Sequence, residues 1–141
     1  MIGDLIQNGK ITHVSLSMAD YACLVFNITI KGDYWGCGLG NYAIGHGHVG
    51  AKTWTASGNG LIAMMKIMDV VGVSKWEDLE GRYVRVEFDN PTGAAKIVKI
   101  GNIIDNKWFN IREFFAGDWG GKESTFDERD PEEEDDELLD E

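Results

Sequence analysis

The chain has 141 residues and a formal net charge of -11, but twelve of its 24 acids fall in residues 122–141 beside one Lys and one Arg. Residues 1–121, with twelve acids and eleven bases, are therefore close to neutral. A near-neutral body of this length holds one small domain with one core, and it excludes a strong duplex or nucleosomal binder, whose positive footprint would show in the count.

Ile11 to Ser17 alternates, with Ile11, His13, Ser15 and Ser17 opposite Thr12, Val14, Leu16 and Met18. Tyr21 to Ile30 alternates again, with Ala22, Leu24, Phe26, Ile28 and Ile30 on one face. Period two with β-branched and aromatic content predicts two strands, and the short break between them predicts a hairpin. Lys31-Gly32-Asp33 is a turn, and Tyr34 to Ile44 is a third strand interrupted by glycines, which predict bulges or a surface that something approaches closely. The 18 glycines of the chain concentrate between Gly32 and Gly60. Gly45 to Gly60 is a polar connection that ends with Ser57 or Asn59 as a helix N-cap.

From Leu61 to Val71 the period changes to that of a helix, with Leu61, Met64, Met65 and Met68 as its core face and Gly72 as its stop. Ser74 and Glu77 have capping-box spacing for a short helical turn that packs Trp76 and Leu79 inward. Arg82 to Phe88 is a fourth strand with Val84, Val86 and Phe88 inward, and Ala95 to Ile104 returns as a fifth after the Asp89 to Gly93 turn. Ile111 to Phe115 makes a short terminal helix.

The expected fold is α+β, mainly β: a small OB-like, partly open five-stranded barrel with one main helix between strands 3 and 4. Residues 1–121 form this single domain, and 122–141 an acidic tail whose like charges and Pro131 predict disorder. Sequence-tolerant nucleic-acid binding needs rings that stack on bases and a local positive groove. Tyr34, Trp35 and Trp54 are the stacking candidates, and Lys52, Arg85 and Lys99 the phosphate contacts, drawn from a wider basic set that includes Lys10 and Lys31. In the tail, Glu132, Glu133, Glu134, Asp135, Asp136, Glu137, Leu138 and Leu139 form the partner-binding segment. An acidic tail of this kind competes for phosphate or meets a basic partner.

Cys37, His46 and His48 lack the paired spacing of a zinc site, and GCGLGN lacks a phosphate-loop lysine, so no metal and no cofactor are expected. No nucleophile–base pair is evident, and the chain is read as non-catalytic. Two cysteines are too few for a disulfide scaffold, no secretory signal precedes the body, and no apolar run approaches a membrane span; the expected setting is the cytoplasm, with no membrane partner. Self-association through a free strand edge stays open.

Two resemblances add to this reading. The run DERDPEEEDDELLDE from Asp127 resembles the acidic terminus of phage and bacterial single-stranded-DNA-binding proteins, although Leu138-Leu139-Asp140-Glu141 replaces their aromatic ending. WEDLEGRYVRV (Trp76 to Val86), IGNIIDNKWFN (Ile100 to Asn110) and GLGNYAI (Gly38 to Ile44) resemble a widespread family of small phage and prophage proteins with no established catalytic assignment. Together they imply a phage protein in its bacterial host's cytoplasm that binds single-stranded DNA and whose tail regulates binding or recruits replication and recombination proteins. On that reading, the full chain binds more weakly than one ending near Gly121. The alternative is an anti-defence inhibitor or adaptor that binds a host protein, its tail mimicking nucleic-acid charge.

Overall fold

A computed structural model describes residues 5–19, 23–47, 52–92, 95–116 and 123–127. The chain order is β1 (Ile6–Ala19), β2 (Cys23–Lys31), β3 (Gly36–His46), β4 (Thr53–Ser57), α1 (Gly58–Val71), a 3₁₀ turn (Trp76–Leu79), β5 (Tyr83–Phe88), β6 (Ile97–Asn102), β7 (Trp108–Asn110), α2 (Ile111–Ala116) and β8 (Glu123–Asp127). The fold is α+β and mainly β. One antiparallel sheet runs in the order β7-β6-β5-β1-β2-β3-β4-β8 and curls into an open half-barrel.

Each of the five stretches expected to be strands contains one, and among the described residues three further strands join them. β4 lies inside the stretch read as a connection, β7 is only three residues long, and β8 lies beyond the expected domain boundary. β8 pairs with β4 from Thr53↔Asp127 to Ser57↔Glu123, so strand pairing extends past Gly121. The segment expected to bind partners, Glu132 to Leu139, lies outside the described residues.

β1 is long because it serves two neighbours. Residues Ile6 to Lys10 pair with β5, Lys10 to Ala19 pair with β2, and the register shifts between Ile11 and His13 where one partner gives way to the other. A bulge there bends the strand and curls the sheet. The inward faces supply the core: Ile11, Phe26, Ile28, Ile30, Leu39, Val84, Val86, Phe88, Ile97 and Ile100 pack with Ala63, Met64, Ile67 and Val70 of α1.

β3 pairs with β4 only at Gly45 and His46, so no described strand bonds to the rest of that edge. A chain of rings closes the gap instead. Trp76 meets Phe26 edge-on at 5.8 Å, Phe26 lies 6.4 Å from Tyr42, and Tyr42 stacks on Phe115 of α2 at 4.0 Å and 11°. Phe115 then meets Phe114, which meets Phe109 of β7. α2 is placed by its N-cap Asn110, whose Oδ1 accepts from the Glu113 backbone amide at 2.9 Å while its Nδ2 donates to Glu113 Oε2 at 3.3 Å, a cap that sequence reading passed over.

Two helix details differ from expectation. Leu61 and Met65 point to solvent rather than into the core, because the buried row is Gly60, Ala63, Met64, Ile67 and Val70. Lys75, not Ser74, is the N-cap of the 3₁₀ turn, and it makes no side-chain cap bond. The helix stop is as expected: Gly72 takes φ +92°, and the Gly72 and Val73 amides both donate to the Met68 carbonyl.

Candidate nucleic-acid interface

At one end of the sheet three strands bring a positive, aromatic cleft together. In register, Lys10 of β1 faces Lys31 of β2 on one side and Tyr83 of β5 on the other. The cleft, of about 580 Å³, is lined by Asn8, Gly9, Lys10, Lys31, Gly32, Asp33, Tyr83 and Ile103. Lys10 Nζ sits 5.7 Å from the centre of the Tyr83 ring, close enough for a cation–π contact. Among the described residues neither lysine is paired with a carboxylate, although Lys99, Lys107 and Arg112 are. Like charges placed directly opposite on neighbouring strands are unfavourable. The cleft retains that cost, and an anion would relieve it.

The turn after β2 shapes the cleft floor. Gly32 donates its amide to the Trp35 carbonyl, and the Trp35 indole lies against Gly32, where a Cβ would collide with the ring. The same indole covers Gly9, leaving only 2.8 Å between its edge and a notional Cβ, and meets Phe88 edge-on at 5.0 Å. Trp35 is thus engaged in packing, and the turn it anchors projects Tyr34 into solvent at 98% exposure. Tyr83 is 60% exposed beside the lysines.

The other expected contacts lie elsewhere. Trp54 is on β4, and β3 separates it from this cleft: Gly36 at the start of β3 pairs with Lys31, whereas His46 at its end pairs with Thr55. Lys52 precedes β4 at that far end and is exposed. Arg85 and Lys99 share the outer face of β5 and β6, as their alternation indicates, with Glu87 paired across to Lys99 at 3.5 Å. Arg85 donates through Nε to the Asn102 carbonyl and through Nη2 to the Asp105 carbonyl, both at 2.7 Å, and its guanidinium lies 4.8 Å from the Trp108 ring centre. It clips the β6–β7 turn, with most of its donor geometry directed at protein. Lys52, Arg85 and Lys99 therefore do not converge on one groove.

Sequence reading placed Lys10 and Lys31 in the basic set without selecting them and missed Tyr83. Tyr83 does carry a signal: it shares the outward alternation of Arg85 and Glu87. The Lys10–Tyr83 opposition depends on a β1–β5 register across more than seventy residues of chain, which no local pattern carries.

Among the described residues no cluster of three metal-ligating side chains occurs, and no helix is long and apolar enough to cross a membrane. A second space, of about 400 Å³, lies between α1 and α2 and is lined by Ile62, Lys66, Phe109, Asn110, Glu113 and Phe114. There the Glu113 carboxylate accepts from Asn110 Nδ2 at 3.3 Å. No protein-family model, curated protein or solved structure matches this chain.

Proposed function

We propose that the protein binds single-stranded DNA at the Lys10–Lys31 cleft, as a non-catalytic phage protein whose acidic tail recruits replication or recombination partners. The observation that carries this reading is Lys10 in register between Lys31, which like it has no carboxylate partner among the described residues, and an exposed tyrosine. Lys10 and Lys31 contact phosphate, while Tyr34 and Tyr83 offer flat faces to bases. Hydrogen bonds to base edges are not needed, so binding tolerates sequence.

The strand order supports the same reading. Within the sheet, β3-β2-β1-β5-β6 has the neighbour relations of an OB barrel, with its long shared first strand and the helix leading into the fourth of those five strands. The ring chain through Tyr42 and Phe115 stands where the barrel-closing ladder would be.

The test is fluorescence anisotropy of the full chain with a labelled single strand of about 30 nucleotides, long enough to span an OB-type site, with duplex of the same sequence as competitor. Binding at low salt that single strands compete and duplex does not is the expected result. No binding to the single strand at low salt would remove the proposal.

A further inference from the structure

At the far end of the sheet from the lysine cleft, a second groove is almost entirely apolar. It encloses about 250 Å³ between Met18, Leu24, Ile44, Trp54 and Leu61, with Gly47 beneath the Trp54 ring. Its rim is unusually apolar for a surface: Leu61 is 53% and Met18 50% exposed, and Met65, one helical turn beyond Leu61, is 59% exposed. A row of exposed large apolar side chains around a groove marks a docking surface.

The chain's own path identifies the occupant. Asp127 pairs with Thr53 and Phe126 with Trp54, so β8 delivers the C-terminal segment beside the groove wall. Between Phe126 and Glu141 the large apolar residues are Leu138 and Leu139, embedded among ten acids from Glu128 to Glu141. Leu138 is eleven positions along the chain from Asp127, a reach of up to about 37 Å at roughly 3.4 Å per step, enough to turn back into an adjoining groove. The charge of the segment fits as well. α1 begins at the groove with Gly58-Asn59-Gly60 and has no acid in its first turn, so the partial positive charge of its N-terminus is not met by its own sequence.

We infer that Leu138 and Leu139 dock in cis into the Met18–Trp54–Leu61 groove, with the flanking acids near the start of α1. Tethering makes this contact intramolecular, so individually weak apolar contacts suffice. A docked Leu-Leu pair is withheld from other proteins. A partner that takes the tail must first extract the pair, which couples recruitment to the state of the groove.

The test uses full-length protein labelled with ¹³C-methyl methionine, without nucleic acid, so its outcome is independent of the DNA-binding reading. The wild-type chain is compared with Leu138→Ser/Leu139→Ser, which keeps every tail charge. The methyl signal of Met18 should move between the two while that of Met64, in the core, stays in place. Leu61→Gln, at a half-exposed position, should produce the same direction of change at Met18. The Met18 difference should also persist unchanged over a roughly tenfold dilution, as an intramolecular contact requires. An unmoved Met18 signal in the leucine variant would overturn the inference. So would a difference that fades on dilution, which would place the tail of a second copy in the groove.

Discussion

Replacing both cleft lysines in the full chain, Lys10→Gln/Lys31→Gln, separates electrostatic capture from every other contribution. Each phosphate neutralised on a single strand adds about 0.7 to the slope of log K against log salt, so two lysines carry about 1.4 of that slope. Taking about 1 M salt as the point where the electrostatic contribution vanishes, the double variant should bind about 60-fold more weakly at about 50 mM salt and about tenfold more weakly at about 200 mM. Anisotropy titrations across that salt range read both numbers. Removing the pair relieves the repulsion between two lysines that face each other across adjacent strands and gives up the Lys10–Tyr83 cation–π contact, two opposing effects of about 0.5–1 kcal/mol or less each. Chemical denaturation should therefore show stability within about 1 kcal/mol of wild type, so lost affinity is not lost fold. Tyr34→Ala provides the contrast: its ring touches solvent, and removing a base-stacking platform should cost about 1–3 kcal/mol of binding with the salt slope unchanged. A double-lysine variant with the wild-type slope would refute the assignment of the cleft, whatever its absolute affinity.

Arg85→Lys should lower stability by about 1–2 kcal/mol in urea, since a lysine reproduces neither the two carbonyl contacts nor the stacking on Trp108, while leaving the salt slope of binding unchanged. Phe115→Ala should cost about 2–3 kcal/mol, below the range for a fully buried phenylalanine because the ring is half-buried, and the loss should reappear as faster hydrogen exchange along β3 as the Tyr42 stack is removed. At Asp89, the Lys96 amide and then the Arg112 guanidinium hold the carboxyl below its ordinary value. A depressed folded-state pKa stabilises the protein above the unfolded value and loses that contribution as pH falls through the folded one. Asp89→Asn should accordingly flatten the acid limb of a stability–pH curve and leave its alkaline limb unchanged; an unaltered acid limb counts against this account.

Where one face of a strand is buried, the sequence states it plainly. Phe26, Ile28 and Ile30 share a face at period two, as do Val84, Val86 and Phe88, and all six are in the core. The helix was legible as a helix but not in its orientation: methionine suits either environment, and Leu61 at the groove rim obeys a surface rather than the core. β4 and β7 are short, and β8 lies in a stretch where charge dominates; their pairing comes from neighbours already in place rather than from their own pattern. The site was the least legible part. Tyr34 was identified as a candidate from its setting among glycines and is open, whereas Trp35 sits in an equally glycine-rich setting because Gly9 and Gly32 make room for its ring as packing. Glycine beside an aromatic residue announces close approach, and the approaching group can be the aromatic residue itself.

The position of β8 also changes what the tail can do to the cleft. β3 runs eleven residues from Gly36, beside Lys31, to His46, a length of about 33 Å at roughly 3.3 Å per residue along the strand. The tail departs beyond that far end, because Thr53, paired with Asp127, lies two residues outside the Thr55–His46 pair. Glu132, five residues on, reaches at most about 18 Å from Asp127, and Glu137 about 36 Å with the chain drawn straight along the sheet. Charges further apart than about 8–10 Å are largely screened at physiological salt, so most of the acidic run lies outside the range at which it competes for Lys10 and Lys31. Neutralising Glu132, Glu133, Glu134, Asp135, Asp136 and Glu137 to their amides in the full chain should therefore raise single-strand affinity by less than about threefold at about 0.15 M salt. Cutting the chain near Gly121 would not ask the same question, since it also strips β8 from β4 beside Trp54. A gain of tenfold or more from the amide variant would mean that the acidic run occupies the cleft after all, and that the tail acts on DNA binding rather than on partners at the opposite end of the sheet.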